Sequence, residues 1–294
     1  MSDYVIVTDY VIVTDSACDI SPEKLGEWGV PYRPLSLHFD GDEVLYTDDE
    51  ITAAEFYARM RKGGVAKTSA VNAEDFKDCF IEQLERGLDV LYIGFSSGLS
   101  TTYNSARIAA DELRGAYPER RIIVIDTLAA SAGEGLILYL TLKKKWEGVE
   151  IEEAAAYAEG LKFNISIWFT VDDLVYLKRG GRVSATAAFF GNMLGIKPVM
   201  HMDNEGHLVP VTKVRGRKTA IEALAAKFGE LGSDAKDNTV FISHADCEQD
   251  ARRLEAILLE KYGAKVEIIT NVGPVIGAHA GPGTLALFFV GKER

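Results

Sequence analysis

The chain has 294 residues, 47% of them hydrophobic and 26% charged, a balance typical of a globular protein with about two domains. Its 32 basic and 44 acidic residues give a formal net charge of −12. This charge opposes non-specific binding to nucleic acids and to anionic membranes, because both are polyanions.

The cysteines and the apolar runs bear on where the protein works. Cys18, Cys79 and Cys247 are far apart and form no CxxC pair, which argues against a disulfide framework or a zinc knuckle. The first residues lack the basic and apolar regions of a signal peptide. The longest uncharged apolar run, 135–142, is far shorter than the ~20 residues that span a bilayer. We therefore expect a cytoplasmic protein with no stable membrane insertion.

The N-terminus contains a perfect tandem repeat, in which YVIVTD at 4–9 recurs at 10–15. Either copy could form an apolar, β-branched strand. Only the second copy continues into the polar segment 16–21. We therefore interpret the second copy as the first strand of the fold, and residues 1–9 as an appended duplicate segment.

In the first half of the chain, apolar strands alternate with amphipathic helices. Strands are predicted at 11–14, 90–95 and 122–126, and helices at 53–62, 73–86, 103–114 and 129–146. Between them, Asp40 and Gly41 separate two apolar runs and indicate a hairpin. The alternation predicts a parallel sheet covered by helices, in an N-terminal α/β/α domain over residues 10–165.

From about residue 163 the order of the elements changes. Strands are predicted at 165–170, 199–202, 207–214, 239–243, 266–270 and 285–290, and helices at 172–178, 219–231 and 247–262. Residues 203–206 separate two of these strands and predict a second hairpin. Residues 166–294 are therefore predicted to form a C-terminal α+β domain, so that the fold class is α/β with two domains.

The segment 94–102 carries five hydroxyl side chains between a predicted strand and a predicted helix. They belong to Ser96, Ser97, Ser100, Thr101 and Thr102. The segment lies at the carboxyl end of the parallel sheet, where open α/β folds bind ligands. Unpaired amides at a helix start favour a phosphate or a carboxylate. Because a helix cap needs only one hydroxyl, we prefer anion binding to helix capping alone.

The same segment also matches the G-x-S-x-G motif of α/β-hydrolases, with Ser96 as the nucleophile. Asp126 ends the next predicted strand and His279 lies downstream, in the chain order of a hydrolase triad. However, Gly98 and Leu99 come before the predicted helix, and no HGGG-like oxyanion segment precedes the motif. A serine hydrolase of acyl esters stays open as the alternative, and a phosphate-binding module is a third hypothesis.

Three further segments contain candidate binding residues. Residues 272–283 include four glycines, two prolines and His279, and predict a rigid, turn-rich loop in which the histidine could bind an anion or move a proton. Thr68 and Ser69 lie in a predicted loop before a helix that Asn72 caps. Arg182 and Arg215 belong to small basic clusters, which could meet an anionic ligand or partner or neutralise nearby acids.

Taken together, these segments resemble the DegV family of bacterial fatty-acid-binding proteins. The matching segments, in order over residues 10–290, are TDS at 14–16, KTS at 67–69, SSGLS at 96–100, DT at 126–127, GRVS at 181–184, KP at 197–198, VRG at 214–216 and GPVIGAHAGPG at 273–283. The resemblance implies a two-domain carrier that holds one long-chain fatty acid between its domains. It implies no other cofactor, no metal and no catalytic residues.

The resemblance also implies the roles of individual residues. By position, the side chains that hold the fatty acid carboxylate are Thr68, Ser69, Ser97, Ser100 and His279. The family presents this carboxylate to a separate fatty acid kinase, which makes an acyl phosphate for phospholipid synthesis. Arg182 and Arg215 match basic positions related to the partner or the phosphate. Thr101 replaces a glycine of the family, and we expect it to strain the loop if that position requires a positive φ.

Overall fold

The structure is a computed structural model that describes residues 9–183, 195–234 and 238–294. Residues 1–8, which include most of the first repeat copy, and Ser184 lie outside these ranges. The strands are β1 (Tyr10–Asp15), β2 (Tyr32–Arg33), β3 (Ser36–Phe39), β4 (Tyr46–Thr47), β5 (Ala66–Ser69), β6 (Asp89–Gly94), β7 (Ile122–Asp126), β8 (Ile165–Thr170), β9 (Ile196–Met202), β10 (Leu208–Arg215), β11 (Val240–His244), β12 (Val266–Asn271) and β13 (Leu285–Val290). The helices are α1 (Pro22–Glu27), α2 (Ala53–Arg61), α3 (Ala73–Glu85), α4 (Thr102–Ala116), α5 (Ala132–Trp146), α6 (Ile151–Leu161), α7 (Val175–Arg179), α8 (Arg217–Leu231), α9 (Glu248–Tyr262) and α10 (Pro274–Ala280).

A parallel sheet organises the first half of the chain. Its strands lie in the order β2-β1-β6-β7, and all of its pairs are parallel. Every residue of β1 and β6 is buried, as expected of strands that helices cover on both faces. The predicted parallel α/β arrangement is therefore confirmed, and the second copy of the repeat forms its strand β1.

A six-stranded mixed sheet organises the second half. Its order is β10-β9-β8-β13-β11-β12, in which only the pair β11–β12 is parallel. This mixture confirms the expected α+β character of the C-terminal part. The sheet begins with β8 at Ile165, next to the predicted domain boundary, and the division into residues 10–165 and 166–294 stays a prediction.

Helix α5 lies between the two sheets. It packs against β6 of the parallel sheet and against β8, β11 and β13 of the mixed sheet. Residues 132–138 are all buried, because a helix that is apolar on every side is stable only when both of its faces are covered. Within the described ranges, every helix is too short or too polar to cross a lipid bilayer.

A small antiparallel sheet, β4-β3-β5, completes the N-terminal part. Strands β3 and β4 pair antiparallel around residues 40–45, which confirms the predicted hairpin. The prediction of a loop at Thr68 and Ser69 was wrong, because both residues belong to β5 and pair with β3. Asn72 does cap α3, since its side chain accepts a hydrogen bond from the Asp75 amide at 2.9 Å.

The predicted loop at 272–283 also requires correction, because Pro274–Ala280 forms helix α10. Proline is compatible with the first turn of a helix, where no amide hydrogen is needed. Gly277 is required for close packing rather than for a turn, since a Cβ there would lie 2.3 Å from the Tyr57 hydroxyl. The helix ends at Gly281, whose φ of 82° suits glycine.

Candidate functional site

A cavity of about 510 Å³ lies between the carboxyl ends of the parallel strands and one face of the mixed sheet. This volume lies in the range of small-molecule sites. Most of the wall on the mixed sheet is apolar, and its side chains are Ile167, Phe169, Met202, Leu208, Ala286 and Phe288. Because alternate residues of a strand point to the same face, these six side chains form an apolar surface that suits a hydrocarbon chain.

One end of the cavity is polar. All five residues that the sequence nominated for carboxylate binding line the cavity: Thr68, Ser69, Ser97, Ser100 and His279. They come from three elements, namely β5, the loop between β6 and α4, and α10. Thr68 Oγ1 and His279 Nε2 form a hydrogen bond of 2.8 Å. The fold therefore gathers the predicted residues at one place, and their contact with a ligand stays a prediction.

His279 is a neutral imidazole at this end of the cavity. Burial and, to a smaller extent, the nearby positive charge of Arg182 together lower its pKa from 6.5 to about 4. Its Nδ1 is buried without a hydrogen-bond partner and packs against Gly180, where a Cβ would lie 2.1 Å away. With the ring proton on Nε2, His279 donates to Thr68 and leaves the threonine hydroxyl free to donate into the cavity.

Comparison with known proteins identifies the family. The model of the family described as "Uncharacterised protein, DegV family" matches residues 9–292. The chain belongs to the DegV family. A DegV domain-containing protein of Clostridium perfringens is 40% identical over 295 residues, which cover 100% of this chain and 99% of the relative. A protein of Thermotoga maritima named fatty acid-binding protein is 35% identical, with 95% of this chain and 97% of the relative covered.

Solved structures of DegV proteins have the same fold. The structure of a Thermus thermophilus member, described by its fatty acid binding, matches with a TM-score of 0.87 at 32% identity, covering 96% of this chain and 99% of the other. A stearic acid-binding protein of Eubacterium ventriosum matches with a TM-score of 0.87 at 29% identity, covering 96% and 98%. The family resemblance and the two-sheet α/β fold inferred from the sequence are thus confirmed.

Of the two predicted basic residues, the DegV fold brings one to the cavity. Arg182 lines it and donates hydrogen bonds to the carbonyl oxygens of Leu99 at 3.1 Å and Gly180 at 2.6 Å. This side chain therefore links the end of α7 to the serine-rich loop. Arg215 ends β10, is exposed, and is not among the residues that line the cavity.

The serine of the G-x-S-x-G motif is buried and hydrogen-bonded to the backbone. Ser96 is fully buried, and its hydroxyl donates to the Gly206 carbonyl at 2.9 Å, so that it holds the β9–β10 hairpin against the loop. Asp126 instead accepts the Ser97 amide at 3.1 Å, and His279 pairs with Thr68. Because their hydrogen bonds lead to different partners, Ser96, Asp126 and His279 do not form the arrangement that the hydrolase hypothesis requires.

The expected strain at Thr101 is absent. Thr101 has φ −80° and ψ 0°, in the right-handed region that any residue adopts, so its replacement of the family's glycine costs no backbone strain. The neighbouring Ser100 hydroxyl accepts the Thr102 amide at 3.2 Å and lies 2.9 Å from the Thr102 hydroxyl. Ser100 therefore satisfies one of the backbone amides at the start of α4 that has no partner within the helix. Ser97 and Thr101 are exposed.

The cavity wall contains a second polar group that was not predicted from the sequence. The hydroxyls of Ser131 and Ser243 lie 2.9 Å apart, and both residues line the cavity. Ser131 also donates to the buried carboxylate of Asp19. The position of Ser131 after β7, at the same sheet edge as the serine-rich loop, could have indicated it. Ser243 lies within an apolar strand, and its sequence context carries no comparable signal.

Buried carboxylates attach the start of α10 to the N-terminal part of the chain. Asp19 accepts the Gly273 amide, and Asp48 accepts the Val275 amide, each at 2.9 Å. Burial raises the pKa of Asp48 to about 7 and the pKa of Asp19 well above its usual range. Among the described residues, no group of three or more His, Cys, Asp and Glu side chains is placed to hold a metal ion.

Proposed function

We propose that this DegV protein is a carrier that binds one long-chain fatty acid in the cavity and presents its carboxylate to a separate fatty acid kinase. The observation that supports this proposal best is that a single cavity combines a largely apolar wall with a polar end. A long-chain fatty acid has the same two parts. The relatives from Thermotoga, Thermus and Eubacterium, which are described as binding fatty acids or stearic acid, favour the same ligand class.

The hydrocarbon chain supplies most of the binding free energy in this proposal. Burial of some fifteen methylene groups contributes roughly 12 kcal/mol, at about 0.8 kcal/mol each, before the costs of ordering and association. A neutral hydrogen bond to the carboxylate contributes only about 1 kcal/mol. The apolar wall therefore sets the affinity, and the polar end sets the orientation of the ligand.

The polar end holds the carboxylate by neutral donors. Because the pKa of His279 is about 4, the imidazole contributes a hydrogen bond rather than a positive charge at neutral pH. The hydroxyls of Thr68, Ser69, Ser97 and Ser100 supply the other donors. Arg182 provides the positive charge near this group, as its effect on the pKa of His279 indicates.

Presentation to a kinase requires that the carboxylate be within reach of the solvent. Ser69 and Ser97 are exposed while they line the cavity, so the polar end opens to the surface. The acyl chain would in turn lie against the buried wall. Arg182 beside the opening, and Arg215 on β10, are the basic residues that we assign to the partner or to the transferred phosphate.

The ligand is tested by mass spectrometry of an organic extract of protein purified without added lipid. We expect about one equivalent of long-chain fatty acid per chain, and its length distribution would report the size of the cavity. A protein that is empty and that also fails to bind oleate would contradict the proposal. Turnover of a p-nitrophenyl acyl ester that is lost in Ser96→Ala would favour the hydrolase instead.

If the apolar wall sets the affinity and the polar end sets the orientation of the ligand, the effect of removing a hydroxyl from the polar end can be predicted. In Thr68→Val or Ser100→Ala, we expect the Kd for oleate to rise roughly fivefold, the equivalent of about 1 kcal/mol. Kinase-dependent formation of acyl phosphate should fall further, because the carboxylate is no longer oriented for transfer. Ser105→Ala on α4, outside the cavity wall, is the matched control. Equal losses in the binding and transfer assays would contradict this division of roles.

A further inference from the structure

The wall of the cavity contains a second hydroxyl pair that the proposed carboxylate site does not use. Ser131, at the start of α5, and Ser243, on β11, are both buried and both line the cavity. Their oxygens lie 2.9 Å apart. In the mixed sheet, Ser243 pairs on one side with Ala286, the neighbour of Phe169 on the next strand, and on the other side with Thr270.

This pair is linked to the amino end of α10, whereas the proposed carboxylate site lies at the carboxyl end of that helix. Asp19, which accepts the Ser131 hydroxyl, also accepts the amide of Gly273 at the start of α10, whereas His279 lies in the last turn of that helix. Six residues of helix separate Gly273 from His279, a distance of roughly 9 Å at 1.5 Å per residue. A group bound at Ser131 and Ser243 would therefore belong to the acyl chain, several carbons from the carboxylate.

The hydrogen bonds of the pair form a relay that ends at the cavity. Ser131 donates to Asp19, and its oxygen accepts from Ser243, so that Ser243 keeps free acceptor capacity towards the cavity. When Asp19 carries a proton, the directions reverse: Asp19 donates to Ser131, Ser131 donates to Ser243, and Ser243 can donate into the cavity. A secondary alcohol both donates and accepts, so it satisfies Ser243 in either direction.

The backbone of Ser131 is held in an unusual conformation at this point. Its φ of 55° and ψ of −149° lie in a region that glycine adopts far more readily than serine. A serine here is strained, yet its hydroxyl is brought to Asp19, to Ser243 and to the cavity wall.

We propose that Ser243 and Ser131 form a subsite for a hydroxyl group on the acyl chain, so that the cavity accepts monohydroxylated long-chain fatty acids alongside unsubstituted ones. The inference rests on the proposed function, because it assigns the pair to the chain of the same ligand. The position of the preferred hydroxyl along the chain is set by the distance between the subsite and His279.

The test compares stearic acid with a series of monohydroxystearic acids that differ in the position of the hydroxyl. Their Kd values are measured by displacement of a fluorescent fatty acid from the delipidated protein, and the quantity of interest is the ratio of each hydroxy acid to stearic acid. In the unaltered protein we expect at least one isomer to bind as tightly as stearic acid. In Ser243→Ala, the ratio for that isomer should rise five- to tenfold, while the Kd for stearic acid changes less than twofold.

Two further variants test the second hydroxyl of the pair and control for the loss of a buried serine elsewhere. Ser131→Gly removes the second hydroxyl with a residue that accepts the same backbone angles, and it should raise the ratio likewise. Ser166→Ala removes an equally buried serine of the mixed sheet, whose hydroxyl donates to the Glu293 carbonyl outside the cavity, and it should leave the ratio unchanged.

The outcomes separate this inference from the proposed function. A ratio that is the same in Ser243→Ala and in the unaltered protein for every isomer would overturn the hydroxyl subsite while stearic acid still binds. Failure of both stearic acid and oleate to bind would overturn the proposed function and the subsite with it.

Discussion

The two ends of α10 contact the N-terminal part of the chain in opposite ways. At the amino end, the carboxylates of Asp19 and Asp48 accept the amides of Gly273 and Val275 in a buried environment. At the carboxyl end, His279 pairs with Thr68 beside an opening to the solvent. Both ends are polar, but the carboxylates at the amino end are occupied by backbone amides, whereas the carboxyl end leaves hydroxyl groups that can bind the carboxylate of a ligand. Polarity at an interface therefore does not by itself mark a binding site; spare hydrogen-bonding capacity at a cavity does.

The attachment at the amino end should carry the largest effect on stability. Asp19→Ala removes the acceptor of the Ser131 hydroxyl and of the Gly273 amide, and each buried donor left without a partner costs about 1–3 kcal/mol. We expect the free energy of unfolding in urea to fall by about 2–5 kcal/mol. Asp19→Asn keeps one acceptor oxygen and should lose less. A loss below about 1 kcal/mol for the alanine variant would contradict the structural role of this end.

The two ends should also respond to pH in opposite directions. The pKa of Asp48 is raised from 3.8 to about 7 by burial, so its ionised form destabilises the fold, and its contribution to stability is lost as pH rises from about 4 to about 7. The pKa of His279 is lowered from 6.5 to about 4, so its charged form is the unfavourable one. The fold therefore gains stability as pH rises from about 4 to about 6.5.

These contributions are measured as differences between variants. The free energy of unfolding in urea is measured for Asp48→Asn and for His279→Gln from pH 4 to pH 8. Each variant should lack the part of the pH dependence that the replaced group causes, a change of at most a few kcal/mol. The difference curves should have opposite signs in the shared range. Curves of the same sign would show that burial does not act on these two groups as inferred.

The smallest effect is expected at Thr101, in the loop that faces the carboxyl end of α10. Because Thr101 adopts a right-handed backbone conformation, Thr101→Gly relieves no strain and only adds flexibility to the unfolded chain. We expect a loss of stability within about 1 kcal/mol and a Kd for oleate unchanged within twofold. A clear gain in stability or affinity would mean that the threonine does distort the loop.

The hydrophobic pattern of the sequence predicted most of the elements for a physical reason. The apolar runs that form β1 and β6 are buried throughout and that of β7 is partly buried, and the amphipathic periodicities of α3 and α9 show one face each to the core. The prediction from local sequence was wrong at α10, because glycine and proline usually indicate a turn and not a helix. There Gly277 lets the helix pack closely against Tyr57 and Phe56. The need for glycine at this position comes from these distant side chains and not from the local sequence.

The α/β class of the fold and its parallel sheet could be predicted from the sequence, because they depend on the periodicity of apolar residues. The candidate carboxylate-binding residues Thr68, Ser69, Ser97, Ser100 and His279 were proposed from short motifs shared with a family. Which of these groups meet depends on the tertiary structure. Thr68 and His279 are 211 residues apart in the chain, and Ser131 and Ser243 are 112 apart, yet each pair is joined by a hydrogen bond. Such contacts arise because α10 packs against β5 and α5 packs against β11, and no local segment contains the information about its distant partner.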